Sequence, residues 1–203
     1  MPLLIASTNE GKLREIRILL AGLPLSICLL NDVGPVPEPD ETGATFVENA
    51  RIKAHAYAGA TGMVTLAEDS GLAVDALGGR PGVHSARYPG ATYPDKFANL
   101  WKELSTHRRP WSCRYVCAVA VVNGSTGRVL FETVSTIEGE IWPEAQGTNG
   151  FGYDPVFYYP PYARTFGEVG DGEKLAVAHR GQAITLFRQW VEHGGLKRDS
   201  SSP

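Results

Sequence analysis

The sequence predicts a mixed α/β fold. Short apolar runs typical of strands recur along the chain, and the segments between them carry apolar residues at helical spacing. The 203 residues suit one large domain or two small lobes that share a core. Hydrophobic residues make up 43% of the chain and charged residues 20%, an ordinary balance for a globular protein. We expect a single domain over residues 1–196 and a frayed tail over residues 197–203.

The chain opens with a strand, a polar loop and a helix. Residues 3–6 form a short apolar run, and residues 7–11 have the composition of a turn. Residues 12–20 carry three apolar side chains on one helical face, Leu13, Ile16 and Leu20. A strand–loop–helix unit points the backbone N–H groups of the helix N-terminus towards an anion. This unit is therefore a candidate phosphate site.

The second helix follows an acidic loop. Residues 31–44 are rich in proline and in acidic side chains. Thr45 and Glu48 match the Thr-x-x-Glu capping box, which predicts a helix from there to about residue 60. Asn49 and Lys53 stand four residues apart and therefore share one face of that helix. That face suits phosphate groups, although an amide and a lysine are also common on ordinary helix surfaces.

The middle of the chain predicts two strands and a third helix. Residues 63–67 form an apolar strand that ends in the polar residues 68–71, and residues 72–77 form the next strand. A Gly/Pro loop follows over residues 78–90. Pro94 then suits the first turn of a helix whose apolar side chains recur at helical spacing.

The second half predicts a hairpin, a long loop and a last helix. Residues 115–122 and 129–137 are β-rich runs joined by a short turn, so we expect them to pair. Residues 142–172 form a long Gly-rich and aromatic loop, and loops of that length are often functional. Residues 175–192 have the spacing of one continuous helix.

Charge and composition exclude several classes of function. The net charge of −3 and the lack of a basic stripe argue against a general nucleic-acid binder. Three cysteines without a CxxC pair argue against a disulfide framework and indicate a reducing compartment. We find no signal peptide and no apolar stretch near the ~20 residues that span a bilayer. We therefore expect a soluble, cytoplasmic protein with no membrane or nucleic-acid partner.

The first polar loop offers the donors that a phosphate needs. Hydroxyls, a side-chain amide, backbone N–H groups and an ammonium group come together at a predicted helix N-terminus. The spacing of a Walker A loop is absent. The same residues also suit an ordinary turn that caps a helix. The candidate phosphate-binding residues are Ser7, Thr8, Asn9, Glu10, Gly11 and Lys12.

Carboxylates form a candidate Mg²⁺ site. Glu68 and Asp69 are adjacent at the predicted end of a strand, and the acidic loop offers Glu38, Asp40 and Glu41. Mg²⁺ usually takes one or two carboxylates and leaves its other positions to water and phosphate. The alternative is a solvated turn, because Asp-Ser-Gly is also common turn sequence. Glu68 and Asp69 are therefore candidate Mg²⁺ ligands, with Glu38, Asp40 and Glu41 available from the acidic loop.

The long aromatic loop is a candidate base site. An aromatic ring such as that of Phe151 gives a nucleobase a surface on which to stack. His179 and Arg180 supply donors for the 6-oxo group of a purine, whereas adenine carries a donor at that position. The structural alternative is that Phe151 belongs to the core and that the histidine is a structural residue.

Six segments in order resemble the inosine triphosphate pyrophosphatase family, also called XTP/dITP diphosphatases. The first reads Ser-Thr-Asn-x-Gly-Lys, the third Glu-Asp-Ser-Gly-Leu and the fifth Gly-Phe-Gly-Tyr-Asp-Pro. Two departures occur: position 68 is Glu where many relatives have Asp, and residues 175–178 are apolar where relatives more often carry Ser. The six segments lie at residues 6–12, 41–54, 68–72, 81–88, 150–155 and 179–181.

The resemblance implies a fold, an activity and partners. The fold is a two-lobed, elongated α/β structure around a long mixed β-sheet, with a nucleotide cleft between the lobes. The activity is Mg²⁺-dependent hydrolysis of the non-standard purine nucleotides ITP, dITP and XTP to the monophosphate and pyrophosphate. Such an enzyme cleanses the nucleotide pool of deaminated purines. The resemblance also implies a homodimer.

The resemblance also assigns roles to individual residues. The loop from Ser7 to Lys12 and Lys53 match positions that hold phosphates. Glu41 and Asp69 match metal ligands, and Asp69 also matches the general base that activates the water attacking the α-phosphorus. The remaining substrate-binding positions match Ser70, Phe151, Gly152, Tyr153, Asp154, Lys174, His179 and Arg180.

Three other functions remain open on the sequence. A pyrophosphatase of the septum-formation type acts on other bases, and a panel of substrates separates it from the first prediction. A catalytically inactive nucleotide sensor would bind with Mg²⁺ but show no turnover. A plain interaction module would need an exposed apolar stripe, which we do not find. A Nudix hydrolase is excluded, because its G-x₅-E-x₇-R-E motif is absent.

Overall fold

The computed structural model describes residues 1–198. Within that range, the chain forms seven strands and six α-helices. The strands are β1 (Pro2–Ile5), β2 (Ser26–Leu29), β3 (Thr65–Val74), β4 (Ser112–Val122), β5 (Val129–Ile141), β6 (Phe157–Tyr159) and β7 (Arg164–Thr165). The helices are α1 (Glu10–Leu20), α2 (Phe46–Thr61), α3 (Tyr93–Leu104), α4 (Asp171–Val177), α5 (His179–Glu192) and α6 (Gly195–Arg198).

The seven strands form one mixed sheet, which confirms the predicted α/β class. Their order is β2-β1-β3-β4-β5-β6-β7. Strand β1 pairs in parallel with both β2 and β3. The other end of the sheet is antiparallel, because β6 pairs in that sense with β5 and with β7. The helices α1 and α2 lie in the connections between parallel strands, as parallel pairing requires.

The contacts divide the chain into two compact units. The first contains residues 1–69, 117–135 and 180 onward, and the second contains residues 70–116 and 136–179. Strands β3, β4 and β5 therefore each contribute residues to both units. Each unit has its own apolar core.

In the first unit, both faces of the sheet are covered. Leu3 and Ile5 of β1 pack in one cluster with apolar residues of α1 and α5. Leu4, between them, belongs to a second cluster with Ala50, Ala54 and other residues of α2. Side chains alternate between the two faces of a strand, so β1 is apolar at every position that a helix covers.

In the second unit, the core is rich in aromatic residues. Helix α3 contributes Phe97, Leu100 and Leu104 from one face, as its periodicity predicts. Tyr115 of β4 packs in the same core with Phe157 and other aromatic rings. This core supports the loop over residues 142–156, in which the aromatic motif lies. The predicted long loop of residues 142–172 is therefore wrong in its second half, which contains β6 and β7.

Several local predictions are confirmed. Thr45 and Glu48 form a complete capping box at the start of α2. Asn9 caps α1 by accepting a hydrogen bond from the N–H of Lys12. Pro94 lies in the first turn of α3, and β4 and β5 are neighbours joined by a short turn.

Among residues 1–198 no helix is long and apolar enough to cross a membrane.

Two element boundaries were predicted wrongly. The polar residues 68–71 do not end a strand, because β3 continues through them to Val74. The predicted last helix is two helices, separated at Ala178, whose ψ of 154° is extended. His179 therefore begins α5 instead of lying inside a helix. The predicted tail is helical in α6 up to Arg198, and residues 199–203 lie outside the described residues.

The capping box gives a test of the fold. Replacing Thr45 by Ala leaves the N–H of Glu48 without its side-chain acceptor, so we expect a loss of about 1 kcal/mol of stability. Thr45→Ser keeps the hydroxyl and should lose much less. Urea unfolding followed by circular dichroism measures both variants. Equal losses in the two variants would contradict a role for the hydroxyl.

Candidate active site

The loop between β1 and α1 has the geometry of a helix N-terminus open to an anion. The N–H of Asn9 donates to Ser7 Oγ at 3.2 Å, and Asn9 Oδ1 accepts from the N–H of Lys12 at 3.0 Å. Thr8, Asn9 and Glu10 are exposed. These residues therefore form the ordinary helix-capping turn that was the alternative to a phosphate site. It also presents the first turn of α1 to solvent, where anions bind favourably.

Glu68 and Asp69 belong to different clusters of charged side chains, although they are adjacent in the chain. Successive side chains of a strand point to opposite faces. Because β3 continues through both residues, Glu68 meets Lys12 and Arg180, whereas Asp69 meets Lys53 and α2. The two carboxylates therefore do not form the shared ligand pair that a turn would allow.

Asp69 is held by two side chains of α2. Lys53 Nζ lies 3.3 Å from Asp69 Oδ1, and Asn49 Nδ2 donates to Asp69 Oδ2 at 3.3 Å. The predicted face of Asn49 and Lys53 thus points to Asp69. Lys53 Nζ also lies 3.2 Å from Glu41 Oε1. Glu41 and Asp69 therefore approach the same cation position.

The acidic loop is fastened to α2 by a glycine. The N–H of Gly43 donates to Asn49 Oδ1 at 2.8 Å. A Cβ atom at Gly43 would lie 2.7 Å from that oxygen and 2.6 Å from the Cβ of Glu48, closer than real atoms approach. Only glycine lets the loop lie this close to the helix. This contact brings Glu41 near Asp69.

Glu68 lies in a buried network of ions. Its Oε1 is 3.2 Å from both Lys12 Nζ and Arg180 Nε, and its Oε2 is 3.2 Å from Cys117 Sγ. Arg180 also pairs through Nη1 with Glu15 Oε2 at 2.5 Å. The side chains of Glu68 and Arg180 are only 1% and 2% exposed. Both carboxylate oxygens of Glu68 thus face donors of this network.

The pKa shifts follow from these contacts. Burial would raise the pKa of Glu68, but Arg180 and Lys12 hold it well below its ordinary value. Burial dominates at Asp69 and raises the pKa of that carboxyl, although Lys53 opposes the shift. Burial would lower the pKa of Lys53, but Asp69 and Glu41 together raise it. Glu68 is thus a fixed anion, and Asp69 accepts a proton more readily than an ordinary aspartate.

Two of the three predicted metal ligands fit a divalent cation. Glu41 is half-buried and Asp69 is buried, and both carboxylates contact the same cation, the ammonium of Lys53. Their oxygens are the hard ligands that Mg²⁺ prefers. Mg²⁺ typically needs no more protein carboxylates than that. Glu68 does not fit, because both of its oxygens face Lys12, Arg180 and Cys117. Within residues 1–198 no group of three or more His, Cys, Asp or Glu residues is placed to hold a metal.

The second unit holds the aromatic motif around a buried carboxylate. Asp154 Oδ2 accepts from Lys174 Nζ at 2.6 Å and from the N–H of Phe151 at 2.8 Å. Lys174 Nζ also lies 4.9 Å from the ring centroid of Phe151. A Cβ atom at Gly150, where φ is 71°, would lie 2.1 Å from Asp154 Oδ2. The loop therefore requires glycine to close around the carboxylate.

The other predicted substrate residues have mixed positions. Tyr153 is buried in the aromatic core, where its hydroxyl donates to the carbonyl of Ser85 at 3.0 Å. Gly152 packs near the ring of Tyr93, and Ser70 follows Asp69 in β3. His179 stacks on the ring of Tyr115 at 4.6 Å.

Arg180 has different neighbours from those that the sequence suggested. Its guanidinium is buried against Glu68 and Glu15. Glu15 and Cys117 were not predicted, because a single acid in an amphipathic helix and a cysteine in an apolar strand give no distinct signal. Tyr115 was also missed, for the same reason.

The fold and these two clusters define a class of protein. It is an α/β protein with two clusters of charged side chains. In one, lysines and carboxylates gather at a helix N-terminus and along a central strand. In the other, aromatic residues surround an Asp–Lys pair. The comparison with known proteins then identifies the family. A model of the Ham1 family matches residues 3–190, so the chain belongs to the Ham1 family.

The relatives agree with this assignment. The dITP/XTP pyrophosphatase of Bacillus licheniformis is 43% identical over 184 residues, which cover 89% of this chain and 93% of that protein. The dITP/XTP pyrophosphatase of Geobacter sulfurreducens is 40% identical over 198 residues, covering 96% and 98%. The structure of a HAM1 protein from Coxiella burnetii matches with a TM-score of 0.88 and 38% identity, covering 95% of this chain and 99% of that one. The family resemblance of the six segments is confirmed.

The buried ion network predicts a large effect of Glu68→Gln on stability. Removing one partner of a buried ion pair leaves the other charge uncompensated and typically costs about 3–5 kcal/mol. The control is Glu132→Gln, which breaks the exposed pair of Glu132 with Arg51 and should have a small effect. Urea unfolding at neutral pH measures both.

The wild type and Glu68→Gln also give a test by pH. The pKa of Glu68 is lowered in the folded chain, so its contribution is complete above the ordinary value of 4.5 and is lost as the pH falls below it. The difference in stability between the wild type and Glu68→Gln should therefore shrink in acid. A difference that stays constant between pH 6 and pH 3 would contradict an ionised Glu68.

Proposed function

We propose that this protein hydrolyses non-standard purine nucleoside triphosphates, namely ITP, dITP and XTP, to the monophosphate and pyrophosphate. The observation that carries the proposal is the convergence of Glu41 and Asp69 on Lys53, together with the charge of Lys12, which also acts on the carboxyl of Asp69. Such a site combines a base, a cation position and phosphate donors. The relatives are dITP/XTP pyrophosphatases, and their activity supports the same reaction.

The charged residues would act on the triphosphate in separate roles. Lys12 and Lys53 bind phosphate oxygens, together with the hydroxyls and N–H groups of residues 7–11. Asp69 takes a proton from the water that attacks the α-phosphorus. The bond from that phosphorus to the bridging oxygen breaks, and pyrophosphate leaves. The lysines then stabilise the negative charge that develops on the leaving group.

Mg²⁺ belongs to this proposal as a cofactor held by Glu41 and Asp69. When bound, it neutralises charge on the phosphate oxygens and lowers the pKa of water. We assign Glu68 a different role from the one that its sequence suggested. It holds the ammonium of Lys12 and the guanidinium of Arg180 in place, so it positions the phosphate donors.

Base selection is assigned to the second unit. A 6-oxopurine such as hypoxanthine offers a carbonyl acceptor next to an N1–H donor, whereas adenine offers an amino donor at position 6. The Lys174–Asp154 pair has the complementary order of a donor and an acceptor. An ammonium has three donors and a carboxylate about four acceptor positions, so paired groups still accept further partners. His179 and the ring of Phe151 complete the proposed base site, and Lys174 takes the role first given to Arg180.

The homodimer, the cytoplasmic location and the absence of a nucleic-acid partner remain parts of the proposal. They come from the family resemblance and from composition. The net charge of −3 disfavours nucleic-acid binding. The three cysteines, all within the described part of the chain, are unpaired, as is usual in a reducing compartment.

A substrate panel tests the reaction and the choice of base. We expect ITP, dITP and XTP to give monophosphate and pyrophosphate when incubated with the protein and Mg²⁺. ATP should react slower by up to about 10⁴-fold, because a mismatched base leaves donors unpaired. Chromatography identifies the products, and excess EDTA should stop the reaction. Diphosphate and phosphate as products would contradict attack at the α-phosphorus, and binding without turnover would indicate a nucleotide sensor.

Asp69→Asn tests the assigned base. Losing a general base typically lowers kcat by about 10²–10⁴-fold, and the KM for ITP should change little. Asp75→Asn, which changes an exposed aspartate paired with Arg114, is the matched control. A kcat near that of the wild type would remove Asp69 from this role.

A further inference from the structure

We propose that Tyr115 is a positioning residue for purine recognition, which fixes Asp154 through its hydroxyl and His179 through its ring. Tyr115 lies in β4 in an apolar run, so its sequence position suggests only a core residue. The inference rests on the proposed function, because it assigns Asp154 and His179 to the base site. It adds a residue that contacts neither the phosphates nor the cation position.

The hydroxyl of Tyr115 completes the set of donors around Asp154. It donates to Oδ1 at 3.2 Å, while the N–H of Phe151 and Lys174 Nζ both donate to Oδ2. A carboxylate held on one oxygen alone still turns about its Cβ–Cγ bond. A donor on each oxygen fixes the plane of the group. Tyr115 therefore determines which way Asp154 presents its acceptor positions.

The ring of Tyr115 is itself immobilised. Phe157 stacks on it with a centroid distance of 4.3 Å and an interplanar angle of 21°. The imidazole of His179 also stacks on it, at 4.6 Å and 22°. Two near-parallel neighbours keep the phenol from swinging away from Asp154. The second stack also sets the orientation of the imidazole of His179.

Burial makes this hydrogen bond hard to replace. Tyr115 is 6% exposed and Asp154 is 2% exposed, so water has little access to the pair. Burial raises the pKa of the Tyr115 hydroxyl well above its ordinary value, and the nearby charge of Asp154 adds to this shift. The hydroxyl thus remains a donor across the working pH range. A residue needed only for packing would be phenylalanine, which avoids the cost of burying a hydroxyl.

Tyr115→Phe separates the two contacts, because it removes the hydroxyl and keeps the ring. Losing a buried hydrogen bond to a charged group should raise the KM for ITP and XTP by about 10- to 100-fold, with kcat largely retained. The control is Tyr88→Phe, which removes a similar hydrogen bond, from a buried tyrosine to Glu103 instead of Asp154. We expect its kinetics to match the wild type. Equal kinetics in Tyr115→Phe and the wild type would overturn the proposal.

Two further measurements distinguish positioning from general damage to the fold. A partly unfolded variant lowers the apparent kcat and leaves KM unchanged, which is the opposite of the expected pattern. Inorganic tripolyphosphate carries no base, so its inhibition constant should be the same for Tyr115→Phe and the wild type. A weakened tripolyphosphate inhibition would show a disturbance of the phosphate site and would contradict a role confined to the base.

A double-mutant cycle tests whether Tyr115 acts through Asp154. In the Asp154→Ala background the acceptor is absent, so Tyr115→Phe should change the KM by less than about twofold. Effects of the two changes that simply multiply would overturn the proposal. The proposed function fails separately, if the wild type hydrolyses neither ITP nor XTP. A wild type that is active together with an unaffected Tyr115→Phe rejects only the role of Tyr115.

Discussion

The buried pair of Glu68 and Arg180 is the interaction on which the charged site depends. Taking two ions out of water costs several kcal/mol each, and the pair offsets this only because further partners satisfy both groups. Glu15 pairs with the guanidinium of Arg180 as well. The ammonium of Lys12 and the thiol of Cys117 both contact the carboxylate of Glu68. These partners come from α1, β3, β4 and α5, so the network joins the elements of the first unit around one charge arrangement.

The continuity of β3 then gives its two adjacent acids different functions. A strand turns successive side chains to opposite faces, so Glu68 is directed into the buried network and Asp69 towards α2. The same two residues in a turn would face one another and would repel unless a cation lay between them. The strand removes that conflict. It also gives Glu68 a lowered pKa and Asp69 a raised pKa, which suits the anchor and the base of the proposed reaction.

Much of the fold was predictable, because local signals and tertiary packing agree there. The capping box at Thr45, the cap at Asn9 and the apolar face of α3 all depend on neighbours within a few residues. The break at Ala178 was not predictable, because its apolar surroundings continue the helical spacing. The strand through residues 68–71 was not predictable either, since their polar composition favours a turn. Only distant partners such as Lys12 and Arg180 make two acids acceptable inside a buried strand.

Some residues of the candidate site were predictable from the sequence and others were not. Lys53, Asp69 and Asp154 belong to sequence segments that resemble a family, and these segments identified them without any geometry. The partners that fix them, Glu15 and Tyr115, have ordinary surroundings in the sequence. Their positions follow from tertiary contacts over 39 residues for Tyr115 and Asp154, and over 165 residues for Glu15 and Arg180. Sequence reasoning therefore finds the groups that do chemistry more readily than the groups that hold them.

Within the first unit, exposure distinguishes the buried ion pair from the ion pairs that solvent reaches. The side chains of Lys12, Lys53 and Glu41 are 17%, 13% and 18% exposed, whereas those of Glu68 and Arg180 are almost fully buried. Phosphate oxygens reaching the partly exposed lysines replace carboxylate contacts with similar ones, so little electrostatic energy is lost. The buried pair stays intact during this exchange because water and phosphate do not reach it. In the proposed reaction, substrate binding would therefore leave no charge unpaired, and a Lys53 paired with phosphate would leave the carboxylates of Glu41 and Asp69 to the metal.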